Sequence, residues 1–370
     1  MMPPMTESSS GSSTPANLWA VLPAGGAGTR LWPLSRAGSP KFLHDLTGSG
    51  RTLLQATHDR LSPLVGDRVL VVTGVAHQDA VRRQLEIVPA DQVVAEPSPR
   101  DSMAAIGLAA ALVEREDPDA LIGSFAADHV IADAEEFRAC VAEAAAVAET
   151  GLLVTIGIAP ARPSTGFGYI HLGEPLVGFA TAHSVQEFVE KPGAERAREY
   201  VASGEYRWNA GMFVARASVL LDLLAAEHPD LAAGMRAIAA DPDQLDEVWP
   251  GLTKIAIDHA VAEPAAAAGK VAVVPGSFGW EDVGDYAALA DLLPEAGPGL
   301  KVLGDTGQVL ALDSSGLVVA DGGRTVAVLG LDDVVVVDTG DAVLVTSRAR
   351  AQEVKAVVEA LKRSGRGDLT

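Results

Sequence analysis

Arg30 and Lys41 follow a glycine-rich run, Leu22-Pro23-Ala24-Gly25-Gly26-Ala27-Gly28-Thr29, and this combination points to phosphate chemistry. Gly25, Gly26 and Gly28 lack a Cβ, so the backbone can turn tightly and approach a ligand closely. Successive backbone N–H groups in such a loop can point at phosphate oxygens. Arg30 adds a planar fork of donors and Lys41 a point charge. The candidate nucleotide-binding run is therefore Leu22, Ala24, Gly25, Gly26, Gly28, Thr29 and Arg30. Asp128 follows the apolar stretch Ala120–Phe125 in the order Ala126-Ala127-Asp128-His129. A carboxylate there suits a hard divalent cation such as Mg²⁺, or else caps a turn or helix. Glu96 opens Glu96-Pro97-Ser98-Pro99-Arg100-Asp101-Ser102. Guanine presents a ring N–H beside an exocyclic amine, and one carboxylate accepts from both. Adenine lacks that pair, and uracil and thymine offer a single N–H, so Glu96 favours guanine. Asp101 and Ser102 are either nucleotide contacts or caps of the helix that follows.

Two commoner phosphate loops do not fit. Counting from Gly26 and Gly28, the third glycine of a dinucleotide fingerprint would fall on Leu31, and no Gly-Lys-Ser/Thr closes the run.

The elements that must position these residues alternate. Leu18–Leu22, Val69–Thr73, Gln92–Ala95, Ala120–Phe125 and Leu152–Ile158 read as strands, with helices predicted over Thr52–Leu61, Val75–Ile87, Ser102–Arg115 and Glu135–Thr150. Such alternation implies an α/β fold with a mostly parallel sheet covered on both faces, binding ligands beyond the carboxyl ends of its strands. From Gly166 the pattern is mixed, with strands predicted over Gly168–Leu172, Ser184–Val189, Met212–Ala215 and Val271–Val274. From Leu300 it becomes a series of short strands, Gln308–Leu312, Leu317–Ala320, Val326–Leu329, Val334–Val337 and Ala342–Thr346, closed by a helix over Ala351–Lys362. The expected organisation is a disordered tail over 1–17, a catalytic domain over 18–295 and a β-rich domain over 300–370.

Composition narrows the class. The 370 residues carry 28 basic and 49 acidic side chains, a net charge of −21, with 48% hydrophobic residues. So acidic a chain is unsuited to nucleic acid or an anionic membrane and must place its few cations where an anionic substrate needs them. Cys140 is the only cysteine, which excludes an internal disulfide and suits a reducing cytoplasm; it reads as a small apolar core residue. The start lacks the basic and apolar stretches of a signal peptide.

The run from Leu22 to Arg36, followed by Pro40-Lys41, resembles the signature of the sugar-1-phosphate nucleotidyltransferases, and Leu31-Trp32-Pro33-Leu34-Ser35-Arg36 resembles their mannose-1-phosphate guanylyltransferase branch, also called GDP-mannose pyrophosphorylases. The likeness extends from about Leu18 to about Leu361. Asp128-His129 resembles the end of the family's Pro-Ala-Asp-His, with Ala126 in place of proline. Trp280-Glu281-Asp282-Val283-Gly284 resembles its Trp-x-Asp-Val-Gly, although Asp282 or Glu281 could also cap a helix near Gly284. Gly166-Phe167-Gly168-Tyr169-Ile170, Glu190-Lys191-Pro192 and Trp208-Asn209-Ala210-Gly211 resemble its sugar-binding segments; Glu190-Lys191-Pro192 alone is an ordinary surface turn. Asp101-Ser102 stands where the family has Asn-Thr, and the glutamine usual after Pro-Lys is missing before Phe42.

The resemblance implies a nucleotidyltransferase fold, Rossmann-like with a mixed sheet, and a small C-terminal left-handed β-helix-like domain that helps form a homodimer. It implies GTP and mannose 1-phosphate as substrates, GDP-mannose and pyrophosphate as products, and Mg²⁺ held by Asp128 and Asp282. Arg30, Lys41 and Asp128 would be catalytic; Gly168, Glu190, Lys191 and Asn209 would hold the sugar phosphate. His129 reads as an orienting or packing residue, Trp208 and Phe213 as packing residues and Asp258 as a helix cap. The alternatives are the same fold with another sugar 1-phosphate or nucleotide, or a catalytically silent sugar-nucleotide-binding regulator.

Overall fold

A computed structural model describes residues 17–26, 28–297 and 299–370. The expected tail falls, apart from Asn17, outside them. In chain order the strands of the first part are β1 (Leu18–Ala24), β2 (Val69–Gly74), β3 (Val93–Glu96), β4 (Leu121–Ser124), β5 (Val130–Ile131), β6 (Leu153–Ile158), β7 (Tyr169–Pro175), β8 (His183–Val189), β9 (Tyr206–Arg216), β10 (Val271–Gly276) and β11 (Trp280–Glu281). Nine of them make one sheet in the order β3-β2-β1-β4-β9-β6-β10-β8-β7. The pairing is parallel through β3-β2-β1-β4 and again at β6-β10, and antiparallel where β9 enters and in the β7–β8 hairpin.

Side chains alternate across the pleat, so each strand feeds two cores. Leu18, Ala20 and Leu22 enter one core, under the helices Leu53–Val65 and Ala134–Ala148. Val21, Leu70 and Val72 enter the other, under the helices Asp101–Glu116, Ala217–Glu227 and Pro229–Ala240. Cys140 lies buried in the first core, where burial pushes its thiol up to about 12 and leaves it an inert apolar filler. The helix expected over Val75–Ile87 is shorter, Gln78–Gln84, because Gly74 to His77 form a turn and Leu85 leaves the helical region. Met212–Ala215 belongs to an eleven-residue strand, β9, which carries Trp208 and Asn209 as well.

The C-terminal part continues with β12 (Glu295–Gly297), β13 (Leu300–Gly304), β14 (Val309–Leu312), β15 (Gly316–Ala320), β16 (Val326–Leu329), β17 (Val334–Asp338) and β18 (Val343–Ser347). β13, β15 and β17 pair in parallel, while β14 and β16 pair in parallel in a second sheet. The chain thus coils between two sheets, a β-helix, with Val318, Val328 and Val336 between them. The opposite face of the first sheet, with Leu317, Val319 and Val335, packs on Leu31, Trp32, Leu34, Val283 and the helix Tyr286–Leu292. The stretch near Pro294–Gly299 is therefore no free linker: β12 pairs back on β13.

Candidate active site

Every parallel strand near the sheet centre ends toward one edge, and the site grows there. The glycine run leaves β1, Glu96 ends β3, Asp128 follows β4, and Asp282 follows β10 and β11. Asn209 lies on β9 opposite Gly157 of β6, while Gly168 and Glu190 flank the paired ends of β7 and β8.

Gly28 sits at φ 57°, and a Cβ on it would lie 2.8 Å from Ser35 Oγ and 2.9 Å from Lys41 Cβ. Its lack of a side chain brings the lysine against the loop. Lys41 is buried, with Nζ 2.8 Å from Asp128 Oδ2 and 3.5 Å from Asp282 Oδ1; it also donates to the Asp282 carbonyl at 2.5 Å. Burial alone would lower the Lys41 pKa, but the two carboxylates outweigh it and leave it raised. Burial would likewise raise Asp282, and the charge of Lys41 outweighs it and holds the carboxyl below the ordinary carboxylate range. His129 is buried edge-on to Trp280, with Nε2 3.9 Å from Asp282 Oδ1; burial lowers its pKa, so it packs as neutral imidazole. One oxygen from each carboxylate and one ring nitrogen of His129 lie within 4.8 Å of one another, an oxygen-rich donor set that fits Mg²⁺, and Lys41 shows that this spot already favours positive charge. Asp282 does not cap the helix that follows: it begins at Tyr286 and is capped by Asp285.

Three cavities meet at these residues. One of about 240 Å³ is lined by Thr29, Arg30, Lys41, Asp128 and Asp282. The second, about 420 Å³, reaches from Gly25, Gly26 and Asp128 to Glu96, Asp101, Ser102 and Lys254. The third, about 260 Å³, contains Gly168, Glu190, Asn209, Asp258 and Asp282. Leu22 and Ala24 are fully buried in the core below, so they support the loop and leave only backbone to a ligand. Burial pushes the Glu96 carboxyl up to about 7. Asp101 holds φ 68°, and its Oδ1 accepts from Ser102 N; Ser102 Oγ accepts from Ile257 N. Both residues therefore order the turn as well as lining the cavity. Lys191 and Val283 also carry positive φ, 47° and 49°. Strain of this kind gathers at sites that must hold a fixed shape.

A Cβ on Gly168 would lie 2.5 Å from Glu190 Oε2, so only glycine lets that carboxylate enter the third cavity. Lys191 Nζ pairs with Glu190 Oε1 at 2.5 Å and is absent from the lining of that cavity. Asn209 accepts from Thr155 Oγ1 (2.9 Å) and Gly211 N (3.0 Å) and donates to Asp258 Oδ1 (2.7 Å). Asp258 is therefore not the expected helix cap: Ile257 precedes the helical segment Asp258–Ala262, which has no side-chain cap bond, and the Asp258 carboxylate turns to Asn209 instead. It lines the cavity, and burial beside Glu190 pushes it up to about 6. Sequence reading missed this role, as it missed Lys254 and Gln352, whose side chain meets Arg30. The only available signal was Asp258's place in a segment resembling the family's.

The "Nucleotidyl transferase" family profile matches residues 19–296, and the profile of the "MannoseP isomerase/GMP-like beta-helix domain" matches residues 307–361. The chain belongs to the nucleotidyl transferase family and carries a C-terminal β-helix domain of that second kind. It is 40% identical over 364 residues to a mannose-1-phosphate guanylyltransferase of Escherichia coli, covering 95% of this chain and 75% of that one. It is 41% identical over 359 residues to the xanthan biosynthesis protein XanB of Xanthomonas campestris, covering 95% and 74%. A solved structure from Thermus thermophilus, described as a mannose-1-phosphate geranyltransferase, superposes with a TM-score of 0.83 at 36% identity, covering 94% of this chain and 99% of its own. No helix among the described residues is long and apolar enough to cross a membrane.

Proposed function

We propose that this chain transfers a guanylyl group from GTP to mannose 1-phosphate, forming GDP-mannose and pyrophosphate. The observation that carries the reading is that the cavity holding Arg30 and Lys41 shares Asp128 with one beside a carboxylate suited to guanine, and Asp282 with one lined by hydroxyl-binding groups. The names borne by relatives about 40% identical support the base and the sugar.

A sugar-phosphate oxygen attacks the α-phosphorus of GTP, and the bond to the β-phosphate oxygen breaks as pyrophosphate leaves. The attacking oxygen is already anionic, so positioning and charge neutralisation carry the rate. The Gly25–Gly28 loop and Arg30 receive the triphosphate, and Arg30 meets the departing pyrophosphate. Lys41 holds phosphate oxygens during attack. Glu96 accepts from guanine, with Asp101 and Ser102 shaping that cavity. Glu190, Asn209 and the backbone at Gly168 take the sugar hydroxyls, and Lys191 exchanges its bond to Glu190 for the sugar phosphate. Asp128 and Asp282 would hold Mg²⁺, which when bound neutralises charge at the phosphates.

We also propose a homodimer through the outer face of the β-helix, where Leu310, Leu312 and Leu329 are at least half exposed; light scattering tests it. The lone reduced thiol, Cys140, suits a cytoplasmic place.

Pyrophosphate release with GTP, Mg²⁺ and mannose 1-phosphate, run beside glucose 1-phosphate and the other nucleoside triphosphates, tests the function. Fast release with GTP and mannose 1-phosphate alone is expected. Fast release with another pair would overturn the substrate assignment, and none with any pair would favour a silent regulator.

A further inference from the structure

The side chain of Arg30 is long, solvent-exposed and carried on a three-residue turn, Thr29–Leu31. A guanidinium in that position has many rotamers, and a phosphate-binding role needs one of them. The partner that selects it comes from the far end of the chain. Gln352 Oε1 accepts from Arg30 Nη1 at 3.1 Å. Gln352 Nε2 in turn donates to Asp285 Oδ2. Asp285 is buried, and its other oxygen caps the helix Tyr286–Leu292 by accepting from Ala287 N (2.7 Å) and Ala288 N (3.0 Å). Tyr286 then donates to the Leu31 carbonyl at 2.7 Å, next to Arg30 itself.

Gln352 stands on the short helical segment Arg348–Glu353 of the C-terminal unit. That unit grips the signature loop at two further points. Trp32 Nε1 donates to the Leu369 carbonyl at 2.7 Å, and Arg36 forms a two-pronged pair with Asp341. The backbone around Gln352 is thus held against the loop independently of the Arg30 bond.

We infer that Gln352 is a positioning residue for Arg30, through which the β-helix domain completes the pyrophosphate end of the active site. The inference rests on the reading that Arg30 meets the pyrophosphate. An amide can do this with both of its functions, accepting from the arginine and donating to the carboxylate. One arginine N–H is used, and the remaining donors of the fork stay available to phosphate oxygens. The β-helix then supplies more than a surface for association: it orders a group that acts on the leaving group.

The test uses the full chain. Gln352→Ala and Gln352→Met remove the acceptor, the second with length retained. The pair Asp285→Asn with Gln352→Glu exchanges donor and acceptor in the bond between positions 285 and 352, leaves Arg30 donating to a carboxylate oxygen at 352, and the amide introduced by Asp285→Asn keeps the oxygen that caps the helix. We expect Gln352→Met to lower kcat about tenfold and raise the KM for pyrophosphate in the reverse direction. The KM for the sugar phosphate and the melting temperature stay near wild type, and the exchanged pair recovers most of kcat. Arg30→Ala, run alongside, must impair the same two parameters. Wild-type kinetics for a folded Gln352→Met beside an impaired Arg30→Ala would overturn the inference alone. Wild-type kinetics for Arg30→Ala would overturn the reading beneath it as well. A drop in melting temperature that tracks the loss of rate, with no shift in the pyrophosphate KM, would make Gln352 merely structural.

Discussion

Asp128 and Glu96 are both carboxylates at strand ends, yet their surroundings give them opposite tasks. Asp128 faces Lys41 at 2.8 Å and belongs to a charged centre. Asp128→Asn removes one of two metal-suited carboxylates with little change in shape. Turnover should fall on the order of a hundredfold or more while the thermal unfolding curve stays near wild type; unchanged turnover in the folded variant would remove Asp128 from the reaction. For Glu96 burial is the dominant influence, and it sets the carboxyl at about 7. Below that pH it is neutral and cannot accept from both guanine donors. The KM for GTP should therefore fall as pH rises from 6 to 8, and Glu96→Gln should flatten that dependence and raise the KM throughout. The folded chain prefers protonated Glu96, so this group favours folding fully below its ordinary carboxylate pKa, and the benefit is lost as pH rises through about 7. Better nucleotide binding toward alkaline pH would thus run against this group's effect on stability.

Helices and strands hold these residues through caps and packing that can be altered separately from the chemistry. The helix Ala134–Ala148 is capped by Asp133, whose Oδ1 accepts from Glu135 N and Glu136 N, both at 3.0 Å. That helix buries Phe137, Val141 and Ala144 under the sheet, away from the three cavities. Asp133→Ala should cost about 1 kcal/mol of stability, with kcat and both KM values unchanged. Calorimetry beside the pyrophosphate assay checks this, and lost activity at full stability would show that the helix end has a role in the site. The β7–β8 hairpin has the opposite status. Its ends carry Gly168 and Glu190 directly into the third cavity, while their neighbours Tyr169 and Phe188 are buried in the two cores.

At the scale of the whole molecule, the cluster between the two parts joins them into one core. Leu317 of β15 is 1% exposed, in the same cluster as Leu31, Trp32 and Tyr286. Leu317→Ala should cost about 2–4 kcal/mol through lost burial and the cavity left behind. Because both parts share this cluster, calorimetry should show one transition shifted as a unit. Two separate transitions would mean that the β-helix unfolds independently and that its grip on the signature loop is weak. The net charge of −21 leaves Arg30 and Lys41 among the few cations, and the fold puts both in one cavity.

The sequence by itself determined the glycine loop beside two cations, the carboxylates Glu96 and Asp128 at strand ends and the change to short strands after Leu300. Each depends on local chemistry: a glycine's freedom, an apolar alternation, a carboxylate's two acceptors. The tertiary structure alone decided which of these residues meet. Lys41 lies between Asp128 and Asp282 because β4 and β10 end at one edge of the sheet, although 241 residues separate it from Asp282. Asp258 became a cavity residue because Asn209, far away on β9, donates to it. Gln352 turned to Arg30, 322 residues away, for the same kind of reason. A side chain's partner across space depends on sheet order and on how two layers pack, and neither is written in the spacing of residues along the chain.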